Sequence, residues 1–295
     1  MKGIVLAGGH GTRLYPATLA VSKQLLPIYD KPLVYYPISS LMLAGIRDIL
    51  LITRPEEIDL FKRLLGDGGD LGLSISYVAQ PEPNGIAAAF LLGGPFLDGE
   101  AAALILGDNI FFGDGLGPTL RRMTARESGA SVLAYWVNDP ERYGVVEFDG
   151  GGQPQRLIEK PRAAPSNWAV TGFYVYDGRV CNVAAGLKPS WRGELEITDL
   201  NNWYLSRGEL VVEKLGRGYA WLDTGTHDSM QDAAAFVRTI EQRQGMKIAC
   251  LEEIAYAMGY IDAAQLTRLA RRHAKSGYGD YLESLVGGGL SVSAA

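Results

Sequence analysis

Hydrophobic residues in the first half of this chain fall into short unbroken runs that alternate with helix-spaced stripes. Residues 3–6 (Gly-Ile-Val-Leu) and 48–53 (Asp-Ile-Leu-Leu-Ile-Thr) read as strands buried on both faces. Between them, residues 36–44 read as a helix closed by Gly45. Pro55 opens the next helix, which sets Ile58, Phe61, Leu64 and Leu65 on one face and ends at Gly66. Residues 74–80 alternate as a strand and 85–92 are an alanine-rich helical stretch. Residues 101–106 form an apolar strand running into Gly107-Asp108-Asn109. This βαβαβ rhythm predicts an α/β fold: a mixed, mostly parallel central sheet flanked by helices. Ligands bind such sheets outside the carboxyl ends of strands, and both the turn after residue 6 and Asp108 fall there.

From Gly129 the pattern becomes richer in strands, at 130–138, 144–148, 170–176 and 209–215, with helices at 177–187 and 197–207. No linker separates the halves. Beyond Thr226 the chain reads as helical: Met230, Ala234, Val237, Ile240 and Glu241 mark a first helix, and 251–258 and 262–274 follow. The triple glycine and small residues of 287–295 read as a frayed, disordered tail.

Charge and composition narrow the function. A net charge of −5 opposes nucleic-acid binding, which calls for a basic face. No apolar run approaches the roughly 18 residues of a membrane span, and no N-terminal signal precedes the first strand, so no membrane partner is expected. Cys181 and Cys250 stand alone, without metal-ligand spacing or a disulfide framework, so a cytoplasmic setting is expected.

The densest chemical signal follows the first strand. Gly8, Gly9 and Gly11 let backbone N–H groups converge on an anion, with Thr12, Arg13 and, further on, Lys23 beside them. A Walker loop would need Lys-Ser/Thr after its last glycine, and Thr12-Arg13 stands there instead. A dinucleotide fingerprint would need a further glycine where Leu14 stands. A tight turn with two surface cations accounts for the glycines alone. It does not account for Thr-Arg, Pro16 and Lys23-Gln24-Leu25-Leu26-Pro27 at this spacing.

With Gly8-Gly9-x-Gly11-Thr12-Arg13-Leu14-x-Pro16 and Lys23, the chain resembles the sugar-1-phosphate nucleotidyltransferases. Later stretches narrow the resemblance to their short, thymidylyl-transferring branch: Tyr29-Asp30-Lys31-Pro32, Leu106-Gly107-Asp108-Asn109, Glu141 to Phe148, Gly193 to Asp199 and Trp221 to Thr226. The similarity spans residue 1 to about 285. It implies a Rossmann-like nucleotide-diphospho-sugar transferase core over 1–226, nucleotide-binding to about 128 and sugar-binding over about 129–226. A C-terminal helical segment follows at 227–286. The implied reaction joins dTTP to glucose 1-phosphate and expels pyrophosphate, the first step toward a dTDP-deoxysugar, with Mg²⁺ as cofactor. A phosphate monoester is already anionic, so catalysis lies in bringing two anions together and neutralising charge.

The resemblance assigns roles to individual residues. Asp108 and Asp223, each ending an apolar run, would hold the metal. Arg13, Lys23 and Lys160 would act with them as the catalytic set, Arg13 gripping phosphate oxygens with its planar fork. The nucleotide would meet Leu6, Gly8, Gly9, Gly11, Thr12, Arg13, Lys23, Gln24, Gln80, Gly85 and Asp108, with Lys23 on the triphosphate or the incoming phosphate and the Gln80 amide on the pyrimidine imide edge. The sugar phosphate would meet Leu106, Asn109, Tyr143, Gly144, Glu159, Lys160, Val170, Arg192 and Trp221. A homotetramer is implied, with feedback by a dTDP-sugar at a second site near Gly115, Leu116, Arg217 and Glu252. His10, Ala88, Ile158 and Trp168 depart from the family pattern, and the departures at Ala88 and Trp168 bear on sugar specificity. The alternatives are a UTP-using or broad-specificity hexose-1-phosphate nucleotidyltransferase and a catalytically silent nucleotide-sugar sensor. Retention of Arg13, Lys23, Asp108, Lys160 and Asp223 opposes the sensor.

Overall fold

A computed structural model describes residues 1–286. The stretch read as a frayed tail, 287–295, lies outside the described residues. In chain order the strands are β1 (Lys2–Ala7), β2 (Pro27–Ile28), β3 (Lys31–Pro32), β4 (Asp48–Thr53), β5 (Ser74–Ala79) and β6 (Ala102–Leu106). They continue with β7 (Asn109–Gly113), β8 (Ala130–Trp136), β9 (Gly144–Phe148), β10 (Pro154–Glu159), β11 (Trp168–Tyr176), β12 (Leu210–Leu215) and β13 (Tyr219–Asp223). The helices are α1 (Tyr35–Leu43), α2 (Ile58–Leu65), α3 (Ala88–Leu92), α4 (Gly94–Leu97), α5 (Leu116–Thr124) and α6 (Val180–Ala185). After them come α7 (Ile197–Leu205), α8 (His227–Gln244), α9 (Leu251–Ala257), α10 (Ala263–Arg272) and α11 (Gly277–Val286).

Nine strands form one sheet in the order β10-β9-β11-β6-β1-β4-β5, with β8 also on β11 and β12 on β8. The block β6-β1-β4-β5 is parallel, as is β12 with β8. β11 joins the halves by running antiparallel to both β6 and β8. The unbroken apolar runs of β1, β4 and β6 follow from burial on both faces. Val5, Leu51 and Ile105 pack toward α1, α5 and α9, whereas Ile4, Leu50 and Leu104 pack toward α3, α6 and α7.

Several expected elements shift. The helix read over 85–92 begins only at Ala88, because Gly85 takes φ +100 and lies against the Leu195 backbone. The helix read over 177–187 shortens to Val180–Ala185, since the Asp177 carboxylate accepts from the Gly129 and Arg179 N–H groups outside it. The short strand β7 adds to the expected elements, and α11 completes the helical segment expected over 227–286. Among the described residues, no helix is long and apolar enough to cross a membrane.

Two features of this topology position the site. β1 and β6 are parallel neighbours with Leu6 opposite Leu106, so the glycine loop and Asp108 emerge side by side. β7 and β13 form a separate antiparallel ribbon that sets Asp223 opposite Asn109.

Candidate active site

Where β6 gives way to β7, a cleft of about 470 Å³ opens between the two halves of the sheet. Its lining carries the polar groups of Arg13, Asp108, Asp223, Tyr143, Glu159 and Lys160, together with Leu106, Asn109, Gly144, Val170 and Trp221. These eleven positions, far apart in sequence, are all ones expected to touch substrate or metal.

Asp108 is the most constrained of them. Lys23, its ammonium almost fully buried, bonds Asp108 Oδ2 at 2.7 Å. Asn109 Nδ2 donates to Asp108 Oδ1 at 2.9 Å, and the backbone carbonyl accepts from Thr224 Oγ1 at 2.9 Å. Burial pushes the Asp108 carboxyl up, but the Lys23 charge and the bonds from Lys23 and Asn109 outweigh burial and hold it below the usual carboxylate range. Asp223 Oδ2 accepts from Arg142 Nη2 at 2.8 Å. Arg13 forms no ion pair among the described residues. A Cβ placed on Gly225 would sit 3.5 Å from Arg13 Nη1 and 3.4 Å from Asp223 Oδ2, so both groups converge on that glycine.

The donor set fits a hard divalent cation. Asp108 and Asp223 present carboxylate oxygens at one end of the same ribbon. Among the described residues, no cluster of three or more His, Cys, Asp or Glu adds a softer or fuller cage. Two carboxylates suit an ion that keeps water and phosphate ligands, as Mg²⁺ does.

Across the cleft, Glu159 Oε2 accepts from Thr198 Oγ1 at 2.6 Å, while its Oε1 lies 3.8 Å from Lys160 Nζ and 3.6 Å from Arg192 Nη2. Lys160 holds φ +42, a left-handed backbone that a lysine adopts only under constraint. Arg192 does not line the cavity: Glu196 grips its guanidinium at 2.8 and 2.9 Å, and Glu194 lies 3.3 Å away.

Apart from Arg13 and Asp108, the nucleotide-side residues do not line this cavity. Gly8 is buried, and a Cβ there would fall 2.2 Å from Gln80 Oε1. Gln80 is 4% exposed, and its amide makes no hydrogen bond to the described residues. Gln24 is also buried and accepts from Ser22 Oγ at 2.7 Å. Leu6 is half-buried, and Gly9, Gly11 and Thr12 remain at least partly exposed. Gly85 permits a close approach, but of the Leu195 backbone, with carbonyl and amide atoms 2.4–2.6 Å from a Cβ position. Of the departures from the family pattern, Trp168 packs edge-on to Trp136 at 5.4 Å, away from the cleft wall, and His10 is exposed.

Sequence reasoning named Arg142 within the Glu141–Phe148 stretch without giving it a role. Its neighbours Tyr143 and Gly144, both expected at the site, were the available signal. Thr198 and Thr224, which hold Glu159 and Asp108, were also missed.

A second cavity, of about 360 Å³, lies between α1, α5 and α9 and is lined by Leu116, Lys247, Cys250 and Glu253. Of the residues expected at a regulatory site, Leu116 lines it and Gly115 caps the adjoining helix at φ +78. Arg217 is exposed on the β12–β13 turn, and Glu252 is buried against Tyr278, so neither joins Leu116 there.

The chain belongs to the nucleotidyl transferase family, whose profile matches residues 2–240. It is 61% identical over 284 residues to glucose-1-phosphate thymidylyltransferase of Xanthomonas campestris pv. campestris, covering 96% of each chain. The protein of that name from Mycobacterium tuberculosis is 56% identical over 286 residues, covering 97% of this chain and 99% of the relative. Among solved structures, a glucose-1-phosphate thymidylyltransferase from Bacillus anthracis in complex with sucrose superposes with a TM-score of 0.75. It is 43% identical and covers 81% of this chain and 95% of that one. A UDP-glucose pyrophosphorylase complexed with UDP-glucose gives 0.70 at 25% identity, over 81% and 98%.

Proposed function

We propose that this chain transfers a thymidylyl group from dTTP to glucose 1-phosphate, giving dTDP-glucose and pyrophosphate. The observation that carries the reading is the convergence on one cleft of Arg13, which has no ion-pair partner among the described residues, with Asp108, Asp223 and Lys160. An oxygen of the sugar phosphate attacks the α-phosphorus, the bond to the β-phosphate bridging oxygen breaks, and pyrophosphate leaves with that electron pair. Bound Mg²⁺ would neutralise phosphate charge from Asp108 and Asp223. Arg13 meets the triphosphate, and Lys160 steadies the incoming phosphate against its repulsion. Lys23 keeps Asp108 ionised and oriented, so its part in phosphate binding runs through that carboxylate. Glu159, fixed by Thr198, accepts from sugar hydroxyls. The Gln80 amide, which makes no hydrogen bond to the described residues, meets the base.

A uridylyl-transferring reading has one observation in its favour: thymine and uracil offer the same imide edge to Gln80. Pyrophosphate release measured in parallel with dTTP and UTP separates the two. The reading expects dTTP to be preferred, and a strong UTP preference overturns it. The same proposal includes a homotetramer in the cytoplasm and feedback by a dTDP-sugar. The feedback reading rests on the resemblance: the cavity holding Leu116 also carries Asp114 and Glu253, and its Lys247 is paired with Asp30 and Glu241. Inhibition of a monomeric truncation as strong as that of the intact chain would sink an interface site.

A further inference from the structure

Resting on the reading above, we infer that Arg142 is the exchangeable counter-ion of the Asp223 carboxylate. It neutralises Asp223 while no divalent ion is bound and passes to a substrate phosphate when one is, so that metal and phosphate binding reinforce each other. Asp108 and Asp223 are near neighbours on the β7–β13 ribbon, and two carboxylates so placed repel unless each has a cation. Each does: Lys23 lies 2.7 Å from Asp108 and Arg142 lies 2.8 Å from Asp223.

The two cations differ in freedom. The Lys23 side chain is 7% exposed and enclosed, whereas that of Arg142 is 40% exposed. Arg142 stands at the end of the single turn Pro140–Arg142, its Nη1 on Asp139 Oδ2 at 2.6 Å and its guanidinium carbon 5.2 Å from the Tyr143 ring centre. Asp139 and the Tyr143 face can keep hold of the guanidinium while Nη2 changes partner. A divalent ion held by Asp223 competes with Arg142 for the negative charge of that carboxylate and weakens the Nη2 bond to Oδ2. A released guanidinium is a donor in need of acceptors, and in this cleft the acceptors that arrive are phosphate oxygens. Coupling of this kind is reciprocal, so phosphate binding strengthens metal binding by the same factor.

The test uses the full chain and Mn²⁺, followed by electron paramagnetic resonance, with dTDP-glucose affinity measured by calorimetry and the binding of Mn²⁺ to free dTDP-glucose subtracted. In the absence of nucleotide, Arg142→Gln should bind Mn²⁺ roughly three- to fivefold more tightly than wild type, because the competing cation is gone. The enhancement of dTDP-glucose affinity by Mn²⁺ should shrink by a similar factor. Arg142→Lys, which keeps the charge, should behave like wild type in the metal-only titration. A residue that only pins the loop would leave metal affinity unchanged or weaker in Arg142→Gln, and that result overturns the inference. A wild-type crystal soaked with Mn²⁺ and dTDP-glucose checks the point without a variant: Nη2 should bond a phosphate oxygen, and a guanidinium still on Asp223 refutes the exchange. Absence of pyrophosphate release by wild type would instead sink the thymidylyl reading, so the two failures are distinguishable.

Discussion

The indole nitrogen of Trp221 lies 2.6 Å from Oδ1 of Asn109, joining the two strands of the ribbon that carries both cleft carboxylates. Asn109 Oδ1 also accepts from Gly172 N–H at 3.1 Å, and its Nδ2 donates to Asp108. Asn109, expected to touch the hexose, lines the cleft, and its side chain also fixes Asp108 against Trp221 and β11. Asn109→Ala should therefore lose about 2–3 kcal/mol in urea unfolding, since it strands two buried N–H donors. Trp221→Phe, which removes one bond and keeps a ring, should lose about 1 kcal/mol. Both should lower kcat more than they raise KM, because Asp108 loses its orientation.

The two carboxylates should separate by stability although both are needed for turnover. Either Asp→Asn substitution is expected to cut kcat/KM by roughly 10²–10³, and chelation by EDTA should abolish activity until Mg²⁺ is restored. Asp108→Asn also leaves the enclosed Lys23 ammonium without its partner, so it should unfold roughly 2–3 kcal/mol more easily. Asp223→Asn abandons a half-exposed Arg142 and should stay within about 1 kcal/mol of wild type. Equal destabilisation by the two variants would contradict the burial difference.

How far the sequence could lead depended on how local each feature is. β4 occupies the bounds read for it, Asp48–Thr53, because a strand buried on both faces shows as an unbroken apolar run. β7 was hidden: Asn109 and Gly113 look like turn residues, and the strand exists by pairing with the distant β13. The types of side chain at the site were legible from Arg13, Asp108, Lys160 and Asp223. Their pairing was not, because whether Lys23 faces a phosphate or Asp108, and whether Arg142 reaches Asp223, depends on tertiary packing. Gly85 shows the same limit, since its closeness to Leu195 depends on a segment from the other half of the sheet.

Lys160 joins an expected role to an unexpected backbone. At φ +42, directly before Pro161, it carries a conformation that only glycine adopts without cost. Lys160→Gly should raise stability by about 1 kcal/mol while sharply weakening glucose 1-phosphate binding. Lys160→Ala should weaken that binding equally without the gain in stability. Thermal unfolding and KM for the sugar phosphate, measured on both variants, check the separation of strain from charge.

Glu253 gives the protein a pH dependence whose sign can be worked out. It is buried in the wall of the second cavity, with Oε2 accepting from Tyr281 O–H at 2.7 Å. Burial pushes its carboxyl up to about 7; the Tyr281 hydrogen bond, Lys31 and Lys247 oppose the rise, and Glu241 adds to it. The folded chain therefore holds this proton over a range, from about 4.5 to about 7, in which the unfolded chain has lost it. Stability falls as pH rises through that window, and the full penalty, on the order of 3 kcal/mol, is present above pH 7. Glu253→Gln, which keeps an acceptor for Tyr281 and cannot ionise, should be more stable than wild type at pH 8 and nearly equal to it at pH 4.5. Urea midpoints for both proteins at the two pH values decide the matter: a variant less stable than wild type at pH 8 would show that the ionised carboxylate is a stabilising partner of Lys31 and Lys247.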